Sequence, residues 1–141
     1  MAGQFLLFAA LAGLALRYPG TGPAAWRGAG IGVLIAAAAV AVAGAKALGR
    51  NLTPFPKPSD HAELVQHGIY SEIRHPLYTA VILAGFGWSL VWLSWPAAVV
   101  AAALIPFFHA KSCREEAFLR QRFSGYREYE TLTSRFIPRI Y

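Results

Sequence analysis

The run LYTAVILAGFGWSLVWLSWPAAVVAAALIPFFHA, residues 77–110, decides the fold. It is 34 residues long and contains no Asp, Glu, Lys or Arg. As one helix it would extend about 51 Å at 1.5 Å per residue, against a hydrocarbon core of roughly 30 Å. Ser94-Trp95-Pro96 stands at its middle, and proline stops a helix while disfavouring helix in the residue before it. The run therefore predicts a membrane hairpin, with one leg over 77–93 and the other over 97–110.

Towards the N-terminus, residues 28–45 are also uncharged and, extended by a turn to 48, give another span. Residues 1–16 carry no charge either. A signal peptide is the competing reading there, but the stretch lacks a basic leading region and a small-residue cleavage site, which favours a retained span over about 4–18. Of the 141 residues 56% are hydrophobic and 14% charged, where roughly 45–50% and about 25% are usual. Such a chain is too apolar for disorder, and its single cysteine, Cys113, cannot close an intramolecular disulfide. The expected fold is all-α: a single-domain (1–141) integral membrane bundle of about four transmembrane helices, with a helical hairpin and a C-terminal amphipathic segment.

Arg17 and Arg27 flank the first loop. The other eleven of the 13 basic residues fall on the side of the middle loop, 49–76, and the tail, 111–141. The positive-inside rule then puts that loop and both termini in the cytoplasm, in a bacterial cell the inner membrane. All seven acidic residues lie on the same side. The net charge of +6 is accounted for by topology and anionic lipid, so nucleic acid is not an expected partner.

Gly28 and Gly32 form a small-xxx-small step, read either as packing within the bundle or as a homodimer contact. Prolines 54, 56 and 58 exclude regular helix from the middle loop and favour extended chain. Polar chemistry concentrates in three places. Leu64-Val65-Gln66-His67-Gly68-Ile69-Tyr70 leads into Arg74-His75-Pro76-Leu77-Tyr78 at the mouth of the hairpin. An interfacial belt explains Tyr70, Arg74 and Tyr78 singly, whereas His75 followed by Pro76 at a helix start leaves backbone N–H groups for an anionic group. Lys111 and Glu115 share a helix face beyond the second leg, with Glu116 adjacent. Because the second leg returns to the side the first one left, both glutamates are expected beside Arg74 and His75. Phe118, Leu119, Phe123, Tyr126 and Tyr129 repeat at helical spacing among charges, the pattern of a helix lying on a membrane surface, weakened by Gly125.

No Gly-x-Gly-x-x-Gly follows a strand, no Gly-x-Ser-x-Gly elbow is present, and His61 and His67 lack the spacing of a metal site, so none is expected.

The pattern Leu64-Val65-x-x-Gly68-x-Tyr70-x-x-x-Arg74-His75-Pro76-x-Tyr78, followed by an apolar hairpin and Glu115-Glu116-x-x-Leu119, resembles the isoprenylcysteine carboxyl methyltransferase and phospholipid methyltransferase superfamily. The resemblance covers about half the chain, residues 64–138. It implies an integral membrane methyltransferase that uses S-adenosylmethionine in a cytoplasmic pocket closed by the C-terminal segment. A lipophilic or prenylated acceptor would enter from the bilayer. Carried over by position, the cofactor contacts are Leu64, Val65, Tyr70, His75, Pro76, Leu77 and Tyr78, with Glu116 or Glu115 holding the donor's ammonium or ribose hydroxyls. Glu115 and Lys111 fall on the acceptor side, and Arg74 completes the catalytic set. The chain departs from the pattern at Lys111, an arginine in the prenylcysteine enzymes. Lysine is a point charge that cannot form a two-pronged carboxylate pair, which weighs against a carboxylate acceptor and leaves a lipid amine or a thiol. It also departs at Phe123-Ser124-Gly125-Tyr126, one residue shorter than the family spacing, and at Ala62, where those enzymes have histidine. Two other readings share the architecture: a sterol-type reductase using a nicotinamide cofactor, and a non-enzymatic membrane binding or assembly protein.

Overall fold

A computed structural model describes residues 2–49 and 63–140 of the chain. Prolines 54, 56 and 58, His61 and Ala62 lie outside the described residues. Within them the chain is helical: α1 (Ala2–Arg17), α2 (Ala24–Leu48), α3 (Pro76–Trp92), α4 (Trp95–Arg122) and α5 (Tyr126–Leu132), with a 3-10 turn at Gly68–Ser71. Among the described residues there is no strand, only an isolated parallel bridge between Ile73 and Ser134.

The hairpin forms as expected. α3 begins on Pro76, where the missing N–H costs nothing, and ends one residue early at Trp92. Leu93 turns the chain with φ 51°, in the left-handed region, and α4 begins at Trp95 with Pro96 in its first turn. Two of the four expected spans, α2 and α4, are long and apolar enough to cross a membrane. α1 and α3 are apolar but only 16 and 17 residues long. α4 also continues well past 110, so Lys111, Glu115 and Glu116 stand on the same unbroken helix as the apolar leg.

The expected amphipathic helix across 118–130 is corrected. Helix stops at Arg122, and a turn at 123–125 separates it from α5. Tyr126 and Tyr129 are buried against the protein instead of lying on a lipid surface. Gly125, with φ −79° and ψ −2°, caps the start of α5, and both rings turn inward from that short helix.

The chain divides into two compact units, Met1–Ala38 with Ala80–Phe107, and Ala39–Thr79 with Phe108–Tyr141. In the first, small residues let helices touch. A Cβ on Gly30 would meet the Val91 backbone nitrogen at 2.7 Å and the Gly87 oxygen at 2.9 Å, so α2 and α3 cross backbone to backbone there. Gly28 and Gly32, the glycines singled out from sequence, meet nothing within 4 Å; the close approach is made by Gly30, between them. Arg27 donates to the Val91 and Gly20 carbonyls at 2.9 and 3.2 Å, supplying partners at the C-terminal end of α3. The outer faces carry exposed Phe5, Leu6, Ile35 and Val99, surface that suits lipid and not water.

The second unit is the polar one. Its core is aromatic, built from Tyr70, Phe108, Tyr126, Tyr129 and Phe136 around Ile73. The C-terminal segment runs parallel to the segment before α3. Ser134 N donates to Glu72 O at 3.0 Å, Arg74 N to Ser134 O at 2.8 Å and His75 N to Arg135 O at 3.1 Å. Thr79 Oγ1 adds a bond to Phe136 O at 2.9 Å, and Tyr129 Oη one to Tyr70 O at 2.7 Å.

Candidate functional site

All polar residues that the sequence singles out at the hairpin mouth fall in the second unit, and four of them, Arg74, His75, Glu115 and Glu116, meet there. Glu116 is the centre. Its side chain has no solvent exposure, and a carboxylate in that position is costly unless paired and hydrogen-bonded. Oε1 accepts from Arg74 Nε at 3.1 Å, His75 Nε2 at 3.1 Å and Arg135 Nε at 3.2 Å. Oε2 accepts from Arg135 Nη2 at 2.7 Å, with Arg120 Nη2 at 3.5 Å one helical turn on. Burial raises its pKa, but the bonds from His75, Arg135 and Arg74 more than offset this and hold the carboxyl at about 2. Glu116 stands six residues beyond the apolar leg 97–110.

The guanidinium of Arg74 is likewise engaged. Besides Glu116 it donates to the carbonyls of Glu130, at 2.9 Å, and of Thr133. It thus ties α4, α5 and the tail to the start of α3. His75 N–H goes to Arg135, Pro76 has none, and the Tyr78 and Thr79 amides both donate to His75 O at 3.1 Å. At the helix start where an anion site is expected, the C-terminal segment thus takes the His75 donor and the helix itself those of Tyr78 and Thr79.

Glu115 is different. Its side chain is about a quarter exposed, 27%, and accepts from Tyr78 Oη at 2.6 Å through Oε2. The same oxygen lies 3.8 Å from His75 Nδ1, beyond hydrogen-bond reach. His75 and Tyr78 are stacked, centroids 5.3 Å apart and planes within 6°. Lys111 Nζ sits over the Tyr78 ring at 5.1 Å and the Phe108 ring at 5.7 Å, a cation–π placement. Burial, reinforced by the negative charge of Glu115, pushes the Tyr70 phenol well up, so that ring stays a neutral donor. Leu64 and Val65 are half-buried in the extended segment before the 3-10 turn, and Leu77 is half-buried in the first turn of α3.

Sequence reasoning missed Arg135, Arg120 and Glu130. Arg120 clasps Glu130 through Nε and Nη2 at 2.9 and 2.6 Å, and Arg135 also donates to His109 Nε2 at 3.0 Å. Arginine only donates, so that histidine nitrogen carries no proton and its tautomer is Nδ1–H. Arg120 had a local signal, its i,i+4 spacing from Glu116; Arg135 and Glu130 have none and are visible only once the tail lies beside residues 72–75. Among the described residues no group of three or more His, Cys, Asp or Glu is arranged to hold a metal.

A helical chain with two helices fit to cross a bilayer and a buried, ion-paired glutamate beside a partly exposed one defines a class: a membrane protein with a polar centre built beyond an apolar helical leg. The chain belongs to the phospholipid methyltransferase family, whose family model matches residues 26–125. It is 40% identical over 73 residues to a probable protein-S-isoprenylcysteine O-methyltransferase of Oryza sativa subsp. indica, and equally to the protein of that name from subsp. japonica. The matched stretch covers 50% of this chain and 37% of each relative, so the chain spans little more than a third of their length.

Proposed function

We propose that the protein transfers a methyl group from S-adenosylmethionine to a lipophilic, membrane-associated acceptor at the cytoplasmic membrane face. The observation that carries this reading is the contrast between adjacent glutamates. Glu116 is spent on the protein's own cations, while Glu115 is held by Tyr78 at the edge of a stacked His75–Tyr78 pair.

The residues present fit the cofactor. A sulfonium and an ammonium are both cations, and the second unit offers the aromatic faces of the stacked His75–Tyr78 pair for them. Leu64, Val65 and Leu77, each half-buried, supply apolar surface for the remainder, with the buried Tyr70 and Pro76 packed behind it. Bound there, S-adenosylmethionine would supply an electrophilic methyl group. This chain's own task is then orientation, water exclusion and proton handling. Glu115 receives the acceptor's proton on its carboxylate, and Tyr78 fixes that carboxylate by donating to Oε2. Arg74, assigned to the catalytic set from sequence, instead positions: with Arg135 it holds Glu116, which in turn orients the His75 ring.

An amine or thiol acceptor suits this arrangement better than a carboxylate. Arg74 and Arg135 are committed to Glu116 and Arg120 to Glu130, while Lys111 lies over two rings. We also read the termini as cytoplasmic, and a homodimer as the oligomer to look for.

Calorimetric titration of the purified chain tests the proposal with three ligands: S-adenosylmethionine, S-adenosylhomocysteine and reduced nicotinamide adenine dinucleotide phosphate. Binding of the first two alone is expected. Binding of the nicotinamide alone would replace this reading with a reductase, and binding of none with a non-enzymatic role. Incubating membrane lipid with labelled donor then identifies the acceptor.

A further inference from the structure

A second feature of the polar unit lies on the other side of its arginines. An open cleft of about 370 Å³ is lined by Arg74, Arg135 and Arg139, by Glu130 and by residues 131–134 and Ile140. That volume falls in the roughly 300–1,000 Å³ range of small-molecule sites. Three guanidiniums face a single carboxylate, an excess of two positive charges. Adding the groups that pair with them, Arg120 with Glu130 and Glu116 with Arg74 and Arg135, leaves the excess unchanged. Among the described residues Arg139 is paired with no carboxylate, and it is exposed at the rim.

The rim is also apolar. Leu132 and Ile140, both lining the cleft, are 76% and 77% exposed, more than any other large apolar residue among the described residues of the second unit. Guanidinium groups match phosphate oxygens in a planar, two-pronged geometry. A positive floor with an apolar lip thus complements a molecule that is anionic at one end and hydrocarbon at the other.

We propose that this cleft binds the phosphate headgroup of an anionic amphiphile, with Arg139 as its principal contact and Leu132 and Ile140 meeting the start of the chains. The inference does not depend on methyl transfer. Neither Arg139 nor the two rim residues belongs to the Glu115–Tyr78 centre, and the proposal stands or falls on binding alone.

The test uses the full chain in neutral detergent and three probes, each followed by calorimetry: dihexanoyl phosphatidic acid, dihexanoyl phosphatidylcholine and inorganic phosphate. Phosphatidic acid should bind at least about tenfold more tightly than either of the others, the equivalent of one good charge-assisted contact. Arg139→Gln, at an exposed position, should weaken it about tenfold, and Arg139→Glu further. Leu132→Ser with Ile140→Ser should weaken phosphatidic acid while leaving the response to phosphate as it was. The proposal is overturned if the Arg139 variants titrate like the parent or if phosphatidylcholine binds equally well. It is overturned too if inorganic phosphate matches phosphatidic acid, which would mark a site for free phosphate.

Discussion

Arg135 grips Glu116 with two arms of its guanidinium, Nε to Oε1 at 3.2 Å and Nη2 to Oε2 at 2.7 Å, across 19 residues of sequence. The pair is the fastening between the C-terminal segment and α4. Removing one partner of a buried pair leaves the other charge without compensation, at about 3–5 kcal/mol when nothing else remains. Here Arg74 and His75 remain, so Arg135→Ala should cost about 2–3 kcal/mol. Arg135→Lys, which keeps the charge and loses the fork, should cost about 1 kcal/mol. Thermal unfolding in detergent checks both; equal stability of all three proteins would show that the fastening carries no weight.

Glu115→Gln should lower turnover by about 10²–10⁴-fold if the carboxylate takes the acceptor's proton. Binding of the methyl donor should change little, because the amide keeps the shape and still accepts from Tyr78. Tyr78→Phe, which removes that donor, should cost roughly tenfold in turnover. Transfer of label to lipid, with donor binding measured separately, distinguishes the two effects. Full activity in Glu115→Gln would remove Glu115 from the chemistry.

Acid should loosen the polar unit through Glu116. Its folded pKa, about 2, lies below the ordinary value of 4.5. A carboxyl depressed in the folded state contributes stability above its unfolded pKa, and that contribution is lost as pH falls towards the folded one. Glu130, lowered by its bonds to Arg120, acts in the same direction. Stability is expected to hold from neutrality to about pH 5 and to fall between roughly 4.5 and 2. In Glu116→Gln that fall should be shallower, as melting curves across pH would register.

Gly30→Ala should destabilise the first unit by about 1–3 kcal/mol, since its Cβ would run into the backbone of α3 at Val91 and Gly87. Gly28→Ala and Gly32→Ala meet nothing within 4 Å and should be neutral or stabilising, because alanine favours helix. Comparable losses at all three positions would contradict the crossing at Gly30.

The hairpin was legible because its signals are local: an uncharged run too long for one crossing, broken by Ser94-Trp95-Pro96. The meeting of Arg74 and His75 with Glu115 and Glu116 was legible by one further step, since a hairpin returns to its starting side. Which glutamate is buried was not. Glu115 and Glu116 differ by one position on α4, and only the arrival of Arg135 opposite one of them decides it. Gly30 was hidden for a different reason. With Trp26 and Leu34 four residues to either side it belongs to no small-xxx-small step, so that spacing pointed to Gly28 and Gly32 instead. The tail was misread because its aromatic spacing suits a helix on lipid as well as one buried in protein, and the turn at 123–125 chose burial.

The tail's pairing with the segment before α3 also sets an order of events during synthesis. Tyr129 bonds to Tyr70, and Arg74 to Thr133, each across 59 residues. When the hairpin first leaves the ribosome, Arg74, His75 and Glu116 have been made but Arg135 has not. The chain must therefore carry a half-matched set of charges at its membrane border until Arg135 emerges, while water supplies the missing partners. Closure of the polar centre thus comes after the hairpin has been made, and a ribosome that stalls in the final turn of α5 would leave the helices inserted and the centre unmade.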